Sequence, residues 1–191
     1  MDDITRRLEA VIFISPRPVA TDELAAACDA SGDEIAAGLA TLAEEYSGRR
    51  HGIELTEVAG GHAFRVASDC EAPVERFAGA RRPDDLSPAL LETLAVVAYL
   101  QPTTRAEVAQ IRGVSSEWAL SSLVERGLVD ERGRADTAGA PILYATSQRF
   151  LQLFGLRSLA DLDDLESFAL SAAETDELRA RLLANAERRR P

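Results

Sequence analysis

A mainly helical chain carrying two small β-wings (α+β) is predicted by three observations. Helical spacing of apolar residues gives way, near residue 53, to strand alternation around a Gly-Gly pair. The same succession of elements returns about 84 residues later. Between the two copies stands Arg81-Arg82-Pro83-Asp84-Asp85, charged, apolar-poor and broken by proline, which reads as a linker.

In the first copy, Ile4, Leu8, Val11 and Ile12 share one stripe of a helix over residues 4–15. Thr21 is placed to cap a second helix through Ala27, with Leu24 and Cys28 turned inward. Ser31 followed by Glu34 is a capping box, in which each side chain satisfies an exposed backbone donor of the other. It opens a third helix with Ile35, Leu39, Leu42 and Tyr46 on its inner face. Then the period becomes two. Ile53 and Leu55 alternate with Glu54 and Thr56, and Phe64 and Val66 with Ala63 and Arg65. Gly60-Gly61 lies between these strands, where a tight hairpin needs positive φ. A short helix, about Pro73 to Ala80, closes the unit.

Ser87-Pro88 starts the second copy, a cap followed by proline at the first turn, where its missing N–H costs nothing. Leu8-Glu9 recurs as Leu91-Glu92 at an offset of 83. Pro18, Glu23, Ala25, Ser31 and Leu39 recur as Pro102, Glu107, Ala109, Ser115 and Leu123 at an offset of 84. Thr104 with Glu107 is a second capping box, Gly113 marks a tight turn, and a third helix is expected from Ser115 to Arg126. Strands of about Leu128–Glu131 and Ile142–Ala145 follow, around a Gly-containing loop. Helix, short extended piece, helix, turn, helix, hairpin is the winged-helix order, given twice. The expected division is a first winged helix at 1–80, a linker at 81–87, a second winged helix at 88–160 and an acidic, then helical tail at 161–191. The tail's helical pattern runs from about Ala173 to Arg189, and its terminal Arg run suits a helix C-terminus or a nucleic-acid contact.

The 191 residues include 32 acids and 21 basic residues, all Arg, for a formal net charge of −11. Residues 1–85 carry 17 acids against 9 Arg, 86–160 carry 7 of each, and 161–191 carry 8 against 5. With 46% hydrophobic and 28% charged residues, the composition is that of a globular chain. The longest fully apolar run, Leu94 to Leu100, is seven residues, against the ~20 needed to span a bilayer. Met1-Asp2-Asp3 opens no basic-then-apolar signal sequence, so neither a membrane nor a secreted protein is expected.

Catalytic apparatus is not legible in the chain. Cys28 and Cys70 come without CxxC or Cys/His spacing, and Cys28 reads as a packing residue. His51 and His62 flank the first hairpin; without a third ligand they read as surface residues rather than a metal site. No Gly-rich phosphate loop, nucleophile elbow or Ser/His/Asp set is present. No enzyme, cofactor or metal is expected. A winged helix that reads DNA lays its third helix in the major groove and its wing near phosphates. Here the first third helix begins with Asp33-Glu34 and ends with Glu44-Glu45, and its wing tip, Ala59 to His62, has no guanidinium. The second offers Glu117, Trp118, Ser121, Ser122 and Glu125, with Arg132 and Arg134 in its wing as the plausible phosphate contacts. Protein binding suits this scaffold better than DNA, and a DNA-binding regulator is the alternative.

Several longer motifs add a resemblance: LEAVIFIS near the start, LETLAVVAYLQP, TRAEVAQIRGV, PILYAT and FLQLFGLRSLADL. Together they cover residues 4 to about 165, and they resemble segregation and condensation protein B, ScpB, of bacterial condensin-type chromosome complexes. The likeness departs at Ala140, where the family often has Arg before the proline, and at Asp163-Asp164, where a Pro-containing acidic segment is usual. The resemblance implies a non-enzymatic homodimer of tandem winged-helix chains, paired through their N-terminal domains. It implies binding to the kleisin ScpA and, through it, to the SMC ATPase, in support of chromosome condensation and segregation. A cytoplasmic protein, tied to the nucleoid through that complex and to DNA only indirectly, is the expected setting.

Two sets of residues are candidates for contact. Val11, Ile12 and Phe13 give the first helix a broad apolar face suited to dimerisation, unless all of it packs within one chain. The kleisin site is expected on the electrically neutral second domain, which does not repel an acidic partner. Trp118 is either an interface anchor or a cap on the core. Arg105 and Arg112, seven apart, share a helical face and either grip carboxylates or pair with Glu107 or a helix-end carbonyl. Tyr99 and Val114, inside the motifs that carry the resemblance, complete the set.

Overall fold

The computed structural model describes residues 2–78 and 86–164. The chain divides into a compact unit, Met1–Asp161, and a second, Leu162–Pro191. Most of the expected linker and the expected helix at 173–189 lie outside the described residues.

Both expected three-helix-plus-hairpin assemblies are present in the first unit. The first has α1 (Asp3–Ile14), α2 (Thr21–Cys28), α3 (Gly32–Glu45), β1 (Ile53–Val58), β2 (Gly61–Val66) and α4 (Glu71–Ala78). Asp2 caps α1 by accepting from the Thr5 amide at 2.8 Å. At α3 the Ser31 hydroxyl accepts from the Glu34 amide, and the Glu34 carboxylate accepts from the Ser31 amide at 2.9 Å, so the capping box forms as read. The core gathers Leu8, Ile12, Val19, Leu24, Cys28, Ile35, Leu39 and Leu42, with Ile4, Val11, Leu55 and Phe64 packed against it. Cys28 is thus a packing residue. Where α1 crosses α3, a Cβ on Gly38 would lie 2.6 Å from Leu8 Cδ1, so glycine there lets the two helices approach closely.

The second assembly has α5 (Pro88–Leu100), β3 (Thr103–Thr104), α6 (Arg105–Arg112), α7 (Glu117–Glu125), β4 (Val129–Arg134) and β5 (Ile142–Thr146). A further helix, α8 (Gln148–Phe154), follows it. The sheet order is β3-β5-β4, antiparallel throughout. Its buried apolar residues include Leu90, Leu94, Val97, Val108, Leu120, Leu123, Leu128 and Tyr144.

The repeat survives in detail. Helices α2 and α6 both end at a left-handed residue, Asp29 (φ 51°) and Gly113 (φ 67°). The short extended piece before each bonds the far strand of its own hairpin. Val19 bridges His62, and Thr103 pairs with Tyr144.

Several boundaries differ from expectation. Thr21 is the first residue of α2, and Ala20 holds the cap position; the Glu23 carboxylate there accepts the Ala20 amide at 3.2 Å. The short helix closing the first copy begins at Glu71 rather than Pro73 and runs to Ala78, where the described residues stop, and α7 begins at Glu117 behind a Ser116 cap. Strand β4 runs on to Arg134, with an irregularity between Glu131 and Arg134. The first hairpin turns at Ala59-Gly60 (φ 52° and 70°), not at Gly60-Gly61. Gly61 has a different task. Its ideal Cβ would stand 2.8 Å from the Val19 carbonyl carbon, and glycine lets the Val19 backbone bond His62 from both sides, at 2.9 and 2.8 Å.

Candidate partner-binding surface

Among the described residues no cluster of His, Cys, Asp or Glu could hold a metal ion, and several large apolar side chains remain in water. On the second assembly Ile111, Val114 and Trp118 are 56, 55 and 66% exposed. They lie on the last turn of α6, the turn after it and the first turn of α7. Gly113 makes this tight turn possible, since its φ of 67° is strained for any residue with a Cβ. Trp118 therefore does not cap the core. A large ring kept in solvent costs about 1.5–3 kcal/mol of unrealised burial, which a partner could recover.

A cleft of about 480 Å³ opens beside this turn. Its walls are α6 (Arg105, Ala109), the start of α7 (Ser116, Glu117) and the wing (Arg134, Ile142). Arg105 donates to Glu117 at 2.5 Å, and neither residue is buried. Contact with the Tyr144 hydroxyl, and then the Glu117 charge, raise the Arg105 pKa above its usual value. The expected partner Glu107 is instead held by the Thr104 cap, which lowers its pKa. An exposed pair of this kind is worth little by itself, so Arg105 can exchange Glu117 for an incoming carboxylate at small cost.

Arg112 is placed differently. Its side chain is 9% exposed, and its guanidinium donates to Thr93 Oγ1 at 2.9 Å and pairs with Glu92 at 2.8 Å. It pins α6 to α5 and is not offered to a partner, which corrects its expected place beside Arg105 on one open face. Tyr99 is half-buried on α5 and does not line the cleft. Val114 is exposed, as is Trp118 four residues further along the chain. Ile111 belongs to this surface and was not among the expected contact residues, while Arg134, expected as a phosphate contact of the wing, lines the cleft. A signal for Ile111 lay in the sequence, where its spacing from the buried Val108 puts both near one stripe although the helix ends a residue later.

On the first assembly the apolar run Val11 to Ile14 occupies a whole helical turn, so part of it must face outward. Ile12 is 3% exposed and sits in the core, and Val11 packs against that core. Ile12 is therefore corrected from a dimer contact to a core residue. Phe13 and Ile14 are the outward pair, 73 and 79% exposed. The acidic residues Asp33, Glu34, Glu44 and Glu45 of α3 are exposed as read. In the second wing Arg132 pairs with Asp130 at 3.2 Å, and Arg134 donates to the Ala140 carbonyl at 2.9 Å. Both histidines have local roles. His51 lies beside Tyr46 with ring centroids 4.5 Å apart, while half-buried His62 faces Thr21 Oγ1 at 3.4 Å.

Comparison with known proteins decides between the readings of this scaffold. Residues 6–165 match the profile of the family described as Segregation and condensation complex subunit ScpB. The chain belongs to the ScpB family. Segregation and condensation protein B of Syntrophotalea carbinolica is 42% identical over 171 residues, covering 90% of this chain and 86% of that protein. The Moorella thermoacetica protein of that name is 40% identical, with 92 and 90% covered. Among solved structures, ScpB from Mycobacterium tuberculosis is 38% identical, covers 82% of this chain and 98% of its own, and superposes with a TM-score of 0.39. As an ScpB-family chain, this protein is a segregation and condensation subunit of the SMC complex. No helix among the described residues is long and apolar enough to cross a membrane.

Proposed function

We propose that the chain acts as a dimeric, non-enzymatic subunit that binds the kleisin ScpA and reaches the SMC ATPase through it, in the cytoplasm on the nucleoid. In this reading residues 1–80 carry the dimer contact, 81–87 link the domains, 88–160 carry the kleisin site and 161–191 form a tail. The observation that supports it best is the Ile111–Val114–Trp118 patch beside an arginine-walled cleft. Apolar anchors flanked by an exchangeable cation suit an amphipathic acidic segment better than a phosphate backbone. Family membership supports a partner within the SMC complex.

The test is Trp118→Ala, with folding checked by circular dichroism and kleisin affinity measured by calorimetry. An anchor is expected to cost roughly 2 kcal/mol, about thirtyfold in affinity. Arg105→Glu is expected to weaken binding further and to make it less salt-sensitive. Unchanged affinity in both variants moves the site off this face.

A further inference from the structure

The wing of the first assembly is not free. In a two-residue hairpin the two central amides have no partner within the hairpin itself. Here both have one from far along the chain: Ala59 N–H donates to the Leu156 carbonyl at 2.8 Å, and Gly60 N–H to the Arg157 carbonyl at 3.0 Å. A third donor joins them. The Arg65 guanidinium, on β2, donates to the Gln152 carbonyl. That carbonyl belongs to the last turn of α8, one of the four a helix leaves without an internal partner, and it carries the negative end of the helix dipole.

The receiving segment is built for this contact. Gly155 ends α8 at φ 70°, a left-handed conformation that favours glycine, and the Arg65 guanidinium lies against it, Nη1 2.6 Å from where a Cβ would stand. Arg157 and Asp161 form a two-pronged pair at 3.1 and 2.8 Å, and Asp161 also accepts the Arg157 amide at 2.8 Å. These bonds turn the chain after α8 so that two successive carbonyls face the wing tip. Attraction from Glu57 on β1 adds to the Arg157 pKa shift, after the larger contribution of Asp161.

We propose that α8 and the segment through Asp161 form an interdomain latch, closed on the first wing by its two turn amides and Arg65. While closed, it holds the two winged helices in one arrangement and takes the first wing tip away from any other partner. Opening it exposes two amides, one guanidinium and a helix end together, so the latch closes or opens as a unit.

Amide hydrogen exchange on the full-length chain tests this directly. Turn-tip amides of a free hairpin exchange at nearly the rate of an unstructured peptide, whereas latched ones are expected to be slowed about tenfold or more. Arg65→Glu, which sets a carboxylate against carbonyl oxygens, is expected to abolish the slowing at Ala59 and Gly60. The amide of His62, bonded to Val19, should stay protected in the same sample and so report that the hairpin is intact. In parallel, nitroxides at Asp33→Cys and Ser121→Cys in a Cys70→Ser background, diluted with unlabelled chain, should give one narrow distance that broadens with Arg65→Glu. Free-peptide exchange at Ala59 and Gly60 in the unaltered chain would overturn the latch. So would an Arg65→Glu variant in which both the protection and the narrow distance persist.

Discussion

Arg105 and Arg112 begin and end the same short helix, seven residues apart and with the same charge. What separates them is the neighbour each meets: Glu117, exposed, for the first, and Thr93 with Glu92 beneath a packed helix for the second. Arg112→Ala is accordingly expected to lower stability by about 1–3 kcal/mol in urea denaturation, since it removes hydrogen bonds to a charged group. Arg105→Ala should leave stability within about 0.5 kcal/mol. Gly61 is a sharper case. Its clash partner is the Val19 backbone, which cannot swing aside, so Gly61→Ala is expected to cost about 1–3 kcal/mol by thermal unfolding. For His62, burial lowers the pKa below its ordinary 6.5, opposed in part by Glu57. The unfolded chain then binds the proton more readily, so His62 contributes stability above about pH 6.5 that is lost as pH falls through its lowered value. His62→Gln should flatten that acid-side decline in denaturation curves measured from about pH 7.5 to 5.

Helix α1 serves two surfaces with adjacent residues. Ile12→Ala empties a core site and is expected to cost about 2–5 kcal/mol, while Phe13→Ser removes only a solvent-facing ring and should leave folding nearly unchanged. A comparison of their melting temperatures checks the assignment. The start of α2 is held by charge rather than by a capping hydroxyl. Glu23 accepts from Arg17 at 2.7 and 2.9 Å and from the Ala20 amide, and these bonds lower its pKa from 4.5 to about 2. A lowered carboxylate contributes stability that is complete above about pH 4.5 and is lost as pH falls toward 2. Carbon-detected NMR titration should place the Glu23 midpoint near 2 and, in Arg17→Ala, return it toward 4.5.

For the whole chain, the dimer reading rests on Phe13 and Ile14, whose exposure leaves an apolar patch at the end of α1. Full-length Phe13→Asp is expected to sediment as a monomer where the unaltered protein sediments as a dimer, at micromolar concentration. A net charge of −11 and an α3 lined with carboxylates also predict negligible affinity for duplex DNA at physiological salt, measured by fluorescence anisotropy. Binding tighter than about 1 μM with a steep salt slope would favour a DNA regulator instead.

Although α8 was not read, the element order of the two copies, both capping boxes at Ser31 and Thr104, the two hairpins and the repeat were legible in the residues. Each rests on short-range physics: a period of 3.6 or 2, a cap three residues from its amide, a proline at a first turn. The family likeness was legible for a related reason, because its motifs are runs of such local patterns. Tertiary structure alone decided which of four consecutive apolar residues in α1 faces water, because a run that circles the helix has no inward side until α3 packs against it. It decided which arginine is offered and which is held, since residue type and spacing are the same for both until α5 supplies Glu92 and Thr93. The closure of α8 on the first wing was likewise out of reach. Two of its three bonds join backbone groups far apart in the chain, Ala59 to Leu156 and Gly60 to Arg157, and the third runs from the Arg65 side chain to a backbone carbonyl, so residue type marks little of it.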